Sequence, residues 1–267
     1  MNQFDSISLE EIKSIIKTKK IGCKIKYYPK IGSTNDIARK LAIDGAPEGT
    51  VIIAGIQTTG RGRLGRKWLS SKGGIWLSII LKPKMLPNIA TIITSMVGIA
   101  VYKTLCTDGI NLRLKWPNDI MVDDKKLGGI LIEIGTELNT INYLLIGVGI
   151  NVNNNLSDFP TEIRDKVTTL KILQGTERSR AHIISQFLEE FEDIYNTFDK
   201  GEQSTIFREW KNLLDTLGRK VKVVTENKIY EGVAMDIDAD GSLVLKLSDT
   251  KIISIIAGDC IHLNEKI

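Results

Sequence analysis

The chain has 267 residues, 42% of them hydrophobic and 25% charged, and a formal net charge of +4. That is an ordinary globular balance, sized for one large domain or one large and one small, with core enough to need no disulfide or metal staples. Two histidines, three scattered cysteines and no CxxC or HxxxH spacing argue against a structural zinc site and a Ser–His–Asp or Cys–His hydrolase.

The cysteines (Cys23, Cys106, Cys260) read as buried thiols of a reducing compartment, and His182 and His262 as structural. Met1–Glu11 contains Asp5, Glu10 and Glu11 and no apolar signal core. The apolar runs Ile75–Leu81 and Ile89–Leu105 are interrupted by Ser, Thr, Gly or Lys. Neither a secretory leader nor a membrane span is expected, and the cytoplasm is the expected location.

Residues 8–19 begin with Ser8 and Glu11 in capping-box spacing, then Ile12, Ile15 and Ile16, which predicts a short amphipathic helix. Residues 24–30 read as a strand. Gly32-Ser33-Thr34-Asn35 reads as a loop capping a helix to about Ile43, with Ile37, Ala38, Leu41 and Ala42 on its apolar face. Val51–Ile56 and Ile75–Leu81 read as buried strands around a Gly-, Thr- and Arg-rich loop, and Ile89–Leu105 as a buried helix. Strands are predicted at 112–115 and 120–122, flanking Trp116-Pro117-Asn118-Asp119, and at 126–134 and 143–152; Ile183–Phe198 reads as a helix. The texture changes near Leu217. Short strands at 219–224, 229–235, 242–247 and 251–256, with a hairpin signal at Asp240-Gly241, predict a small β-barrel. The predicted boundaries are 1–217 and 218–267.

Four segments carry chemistry. From Gly60 to Lys84 there are seven basic residues and no acid, a field that attracts an anion. Within it, Gly60-Arg61-Gly62-Arg63-Leu64-Gly65-Arg66-Lys67-Trp68 offers close backbone approach, bidentate donors and a flat indole. A ligand cradle, a nucleic-acid patch and a solvated loop all fit that composition. Lys115-Trp116-Pro117-Asn118-Asp119 is a turn that aims Asn118 and Asp119 into a site, where Asp119 suits Mg²⁺ or a ribose hydroxyl, or else a tight turn with an Asx bond. Lys126-Leu127-Gly128-Gly129 places an ammonium beside bare backbone, or simply begins a strand. Ser33, Thr34 and Gln57 can satisfy a neutral polar head group such as a ureido ring, or a helix cap.

Taken in order, Gly-Ser-Thr-Asn, Gln-Thr-Thr-Gly-Arg-Gly-Arg-Leu-Gly-Arg-Lys-Trp, Lys-Trp-Pro-Asn-Asp, Lys-Leu-Gly-Gly-Ile-Leu-Ile-Glu and Gly-Val-Gly-Ile-Asn-Val-Asn resemble the motif series of the biotin–protein ligases, over about residues 24–155. The resemblance implies an α+β fold, a mixed sheet flanked by helices as in class II aminoacyl-tRNA synthetases and lipoate ligases, with a C-terminal SH3-like barrel. It implies that ATP and Mg²⁺ activate biotin to biotinyl-5′-AMP and that the biotinyl group passes to a lysine of a biotin carboxyl carrier protein. It assigns biotin to Ser33, Thr34, Gln57, Gly60, Arg61, Arg63, Lys126 and Gly129. It assigns the nucleotide to Arg63, Arg66, Trp68, Asn118, Asp119 and Asn151, with Asp119 toward Mg²⁺. Lys126 and Arg63 are its catalytic pair, and Asp119 is a candidate proton acceptor in transfer. Some members carry an N-terminal DNA-binding domain and repress transcription. About 25 residues precede the first strand here, so no operator binding is expected. A homodimer is an expectation from relatives that pair through sheet edges. A lipoate or octanoate ligase and a nucleic-acid-binding protein are the alternatives.

Overall fold

The computed structural model describes residues 7–83, 90–106, 109–137 and 140–266. Met1–Ser6, Lys84 and Ile89, which entered the readings above, lie outside them. A seven-stranded sheet runs in the order β1-β2-β3-β7-β6-β5-β4. Its strands are β1 (Lys24–Tyr28), β2 (Thr50–Ala54), β3 (Ile75–Leu81), β4 (Leu112–Lys115), β5 (Asp119–Val122), β6 (Lys125–Glu137) and β7 (Thr140–Ile150). Among the strands of the described residues only β1 and β2 pair in parallel. A parallel pair needs a crossover, supplied by the helix α2 (Thr34–Ile43).

Side-chain alternation divides this sheet into two faces. On β3, Ile75, Leu77, Ile79 and Leu81 join the main core, while Ile80 packs with Ala38 and Ala42 of α2. All seven β3 residues are therefore buried, and the strand reads as an unbroken apolar run. The main-core face is covered by α3 (Ala90–Cys106), which packs against α5 (Arg180–Asp199) and α6 (Gln203–Leu213). The short helix α1 (Leu9–Ile15) lies on α5, its first turn capped by Ser8 Oγ accepting from the Glu11 N–H at 3.1 Å. A five-residue helix, α4 (Leu170–Gln174), follows the sheet. On the opposite face α2 packs against β2, β3 and β7, and a cavity lies over the remaining strands.

A second, all-antiparallel sheet has the order β11-β10-β9-β8-β12, with β8 (Arg219–Val224), β9 (Ile229–Ile237), β10 (Leu243–Ser248), β11 (Lys251–Ile255) and β12 (Asp259–Lys266). The expected α+β architecture with a small all-β C-terminal unit is what the chain forms. Gly241, with φ 84°, sits in the expected turn between β9 and β10. The strand expected around His262 is β12, whereas periodicity does not predict α6, which buries only Ile206, Trp210 and Leu213. Cys23 is exposed and Cys106 half-buried, against the expectation of three buried thiols. His182 is exposed, its Nδ1 3.0 Å from Ser179 Oγ at the start of α5.

The two sheets meet at Trp116, which is 1% exposed. Its backbone N–H donates to Thr216 Oγ1 at 3.0 Å and its indole N–H to Gly241 O at 3.0 Å. The Thr216 hydroxyl in turn lies 3.1 Å from His262 Nε2. Burial, then the charges of Lys115 and Arg219, push the His262 imidazole down to about 4, against the opposing pull of Asp215 and Asp124. A histidine held neutral in the fold takes up its proton more readily when unfolded. Stability is therefore fully present above pH 6.5 and falls as pH drops from 6.5 toward 4. The loss is about 3 kcal/mol at 1.36 kcal/mol per pKa unit. Thermal denaturation across that range should show a fall in Tm that flattens in His262→Phe; an equally steep fall in the variant would place the effect elsewhere. Asp124, Asp215 and His262 also form the only cluster of potential metal ligands among the described residues. Arg219 already sits on it, with Nη2 2.5 Å from Asp215 Oδ2 and 3.7 Å from Asp124 Oδ1. No metal is assigned there.

Candidate active site

One row of register partners crosses the sheet from edge to middle: Lys115↔Asp119, Asp119↔Gly129, Gly129↔Gly149 and Gly149↔Trp76. These residues share a face, and all but Trp76 line the cavity of about 570 Å³ on it. The glycine pair leaves the middle of the row as bare backbone. The Trp68 indole lies on it: a Cβ at Gly149 would come 2.6 Å from Trp68 Nε1, and one at Gly129 3.6 Å from Trp68 Cζ3. Gly149→Ala should displace that indole and weaken binding of the cavity's ligand at least tenfold, about 1.4 kcal/mol. Titration calorimetry with that ligand measures it, and unaltered affinity would show that the indole's seat is not part of the site. Lys126 Nζ sits 5.2 Å from the Trp68 ring centroid and 2.5 Å from Asp119 Oδ1. A cation, a carboxylate and an aromatic face therefore meet at the charged end of the floor.

The other end is a polar network. The Gln57 side-chain oxygen accepts from the Thr34 N–H at 2.7 Å and lies 3.0 Å from Thr34 Oγ1, while Gln57 Nε2 donates to Ser70 Oγ at 2.8 Å. Gln57, rather than the Ser33 hydroxyl, thus caps α2. Ser33 is buried and lines the cavity. Ser78 Oγ lies 2.7 Å from Thr34 Oγ1 and 2.5 Å from Asn35 Oδ1, and Asn35 Nδ2 donates to Glu133 at 2.7 Å.

The arginine–glycine loop crosses the cavity and is tied at both sides. Arg61 donates to both oxygens of Glu133, at 3.2 and 3.1 Å, and pairs with Asp36 at 2.7 Å. The bond to Asp36 and then that to Glu133 hold its guanidinium above its usual range, though burial opposes them. On the far side Arg63 Nη1 donates to Gly258 O at 3.2 Å and reaches Asn118 Oδ1 at 3.4 Å, and Arg66 pairs with Asp259. Burial lowers the Arg63 value, the charges of Asp259 and Asp119 opposing. Between these ties Leu64 is exposed with φ 54°, a left-handed conformation costly for a branched side chain.

Of the predicted residues, Ser33, Thr34, Gln57, Arg61, Arg63 and Arg66 line the same cavity, as do Trp68, Asn118, Asp119, Lys126, Gly129 and Asn151. Gly60 lies beside it: its Cβ would come 2.6 Å from Ser70 Oγ and from Trp68 O, so the residue serves close packing within the loop. The basic stretch holds no acid in sequence, but in space Glu133, Asp36 and Asp259 reach it from other elements. Sequence reasoning gave no role to these three, nor to Asn35 or Ser78. The one signal for Glu133 is its place at the end of Lys-Leu-Gly-Gly-Ile-Leu-Ile-Glu. Two polar atoms in the lining residues, Trp68 Nε1 and Asn151 Oδ1, are buried without a partner among the described residues. Each such group costs about 1–3 kcal/mol until a ligand satisfies it.

The profile of the biotin/lipoate A/B protein ligase family matches residues 27–151, and that of the biotin protein ligase C-terminal domain matches residues 216–263. The bifunctional ligase/repressor BirA of Bacillus subtilis is 35% identical over 245 residues, covering 91% of this chain and 75% of that protein. The biotin–[acetyl-CoA-carboxylase] ligase of Mycobacterium tuberculosis is 30% identical over 240 residues, covering 87% and 86%. Among solved structures, the biotin protein ligase from Aquifex aeolicus in complex with biotin and ATP superposes with a TM-score of 0.79 at 29% identity, covering 91% of this chain and 100% of that one.

Proposed function

Because the chain belongs to the biotin/lipoate A/B protein ligase family, we propose that it activates biotin with ATP and transfers the biotinyl group to a lysine of a biotin carboxyl carrier protein. The observation that carries this reading is the meeting of Lys126, Asp119 and the Trp68 ring at the charged end of a glycine floor. In it the ureido ring of biotin takes the polar end, at Ser33, Thr34 and Gln57, and the valeryl chain runs past Gly129 beside the Trp68 indole with its carboxylate toward Lys126. The nucleotide takes Arg63, Arg66, Trp68, Asn118, Asp119 and Asn151. The orphaned Asn151 oxygen and Trp68 N–H fit a ligand bearing both donors and acceptors.

A carboxylate oxygen of biotin forms a bond to the α-phosphorus of ATP as the bond to the β-phosphoryl oxygen breaks, and pyrophosphate leaves with the electron pair. Two anions are brought together in this step. Lys126 and Arg63 offset their repulsion. The Asp119 carboxylate and the Asn118 amide oxygen are hard oxygen donors that fit Mg²⁺, which when bound supplies positive charge to the phosphates. The arginine–glycine loop keeps water from the mixed anhydride. The carrier lysine then attacks the acyl carbon, AMP leaves, and Asp119 takes the amine proton.

In this reading residues 1–217 bind biotin and ATP, and 218–267 brace the loop through Gly258 and Asp259. The described residues before β1 hold only α1, packed on α5, and are assigned no operator-binding part. A homodimer formed through a sheet edge would use β1, since β4 is bridged by Leu214. No helix among the described residues is long and apolar enough to cross a membrane; action in the cytoplasm is part of the proposal. Incubation with ATP, Mg²⁺, biotin and an apo carrier domain should add one biotinyl mass to the carrier's acceptor lysine. An unmodified carrier, with the protein folded and ATP present, would refute the assignment.

A further inference from the structure

The cations of the cavity differ in their partners. Lys126 is paired with Asp119, Arg61 with Glu133 and Asp36, and Arg66 with Asp259, while Arg63 donates to Gly258 O. Lys67 and Lys166 stand exposed at the rim. Lys115 is half-buried, lines the cavity, and has no hydrogen-bond or ion-pair partner among the described residues. Its place is fixed by the row described above. Leu112 and Leu114 turn into the core, so Lys115 takes the cavity face of β4, cross-strand from Asp119. It lies about 14 Å from Gly149, three strand spacings away. Asp119 turns to Lys126 on one side and leaves Lys115 uncompensated on the other. Cys260 and His262 stand close enough to feel its charge, and neither is an anion: burial pushes the Cys260 thiol up to about 12 and the His262 imidazole down. The turn that carries Lys115 is locked by both Trp116 hydrogen bonds to Thr216 and Gly241. A half-buried ammonium held in place without an anion is a site for one.

Resting on the ligase reading, we infer that Lys115 holds the terminal phosphates of ATP and carries the negative charge of pyrophosphate as it leaves. The order along the floor then matches the order of the reactants: biotin at the glycine end beside Trp68, the α-phosphate at Lys126 and Asp119, and the β- and γ-phosphates beyond them at Lys115. As the bond from the α-phosphorus to the bridging oxygen breaks, the electron pair and a full negative charge pass to the pyrophosphate. Lys115 is placed to meet that charge, whereas Lys126 serves the carboxylate and the α-phosphate.

The reverse reaction tests this most cleanly, through biotin-dependent exchange of labelled pyrophosphate into ATP. Lys115→Met should raise the KM for pyrophosphate at least tenfold while the Kd for biotin moves less than twofold, and Lys115→Arg should restore the KM to within about threefold. A merely structural lysine would move both constants together and would not be rescued by arginine. In parallel, amine-directed labelling of the wild-type protein, read by mass spectrometry, should show Lys115 protected by inorganic pyrophosphate with Mg²⁺. That arm is independent of whether the variants fold. An unchanged KM in Lys115→Met, or labelling of Lys115 indifferent to pyrophosphate, would overturn the inference. Absence of biotin-dependent exchange in the wild type would instead strike the ligase reading itself.

Discussion

Lys126→Ala should lower the rate of adenylate formation by about a hundredfold or more, roughly the 3 kcal/mol typical of losing one preorganised charge at a reacting centre. The loss has two parts. The ammonium proposed to face the incoming carboxylate and the α-phosphate would be gone. Asp119, whose carboxylate lies 2.5 Å from Lys126 Nζ, is left without its partner and adds a negative charge where two anions must meet. Single-turnover measurement of biotinyl-5′-AMP separates this step from transfer. Transfer from added biotinyl-5′-AMP should suffer less than formation. A formation rate within threefold of wild type would remove Lys126 from the mechanism.

Arg63→Gly acts on the other half of the cycle. Arg63 ties the loop to Gly258 O and reaches Asn118 Oδ1, so its loss detaches the loop's middle from the C-terminal sheet and from the Lys115–Asp119 turn together. The adenylate should then dissociate at least tenfold faster, equivalent to about 1.4 kcal/mol. It should acylate lysines of bystander proteins, since a mixed anhydride free in solution reacts with any exposed amine. Stopped-flow dissociation and biotin blotting of an unrelated protein read the two effects. Retention as tight as in the wild type, with no bystander labelling, would contradict the role given to Arg63. Glu133 and Asp259 lie at the loop's two ties and make the same point from the acid side.

Much of the fold was legible because the main elements are strongly patterned. β3 is a continuous apolar run, α5 presents Ile184, Phe187, Leu188, Phe191 and Tyr195 on one side, and Asp240-Gly241 marks a hairpin. Helix α6 escaped because it is only half apolar, its stability coming from packing on α3 and α5, elements distant in sequence. The site was legible wherever one short segment held several of its parts, as in residues 60–68 and 115–119. It was not legible where function depends on partners from elsewhere. Nothing in residues 60–68 says that Arg61 ends on Glu133, 72 positions away, or Arg66 on Asp259, 193 positions away. The composition of the loop fitted a ligand cradle, a nucleic-acid patch and a solvated loop alike. The fold pairs Arg61 and Arg66 with acids and leaves a half-buried lysine without one at Lys115, in a motif where attention fell on Asn118 and Asp119. Long-range charge pairing is a property of the register of the sheets, and only the assembled strands disclose it.

The most direct measurement is pyrophosphate release from ATP and Mg²⁺, with biotin and with lipoate offered separately to the purified protein. The account predicts release that requires biotin and ceases after about one equivalent when no carrier is present, because the adenylate stays under the arginine–glycine loop. No release with either acid, or release with lipoate alone, would contradict it.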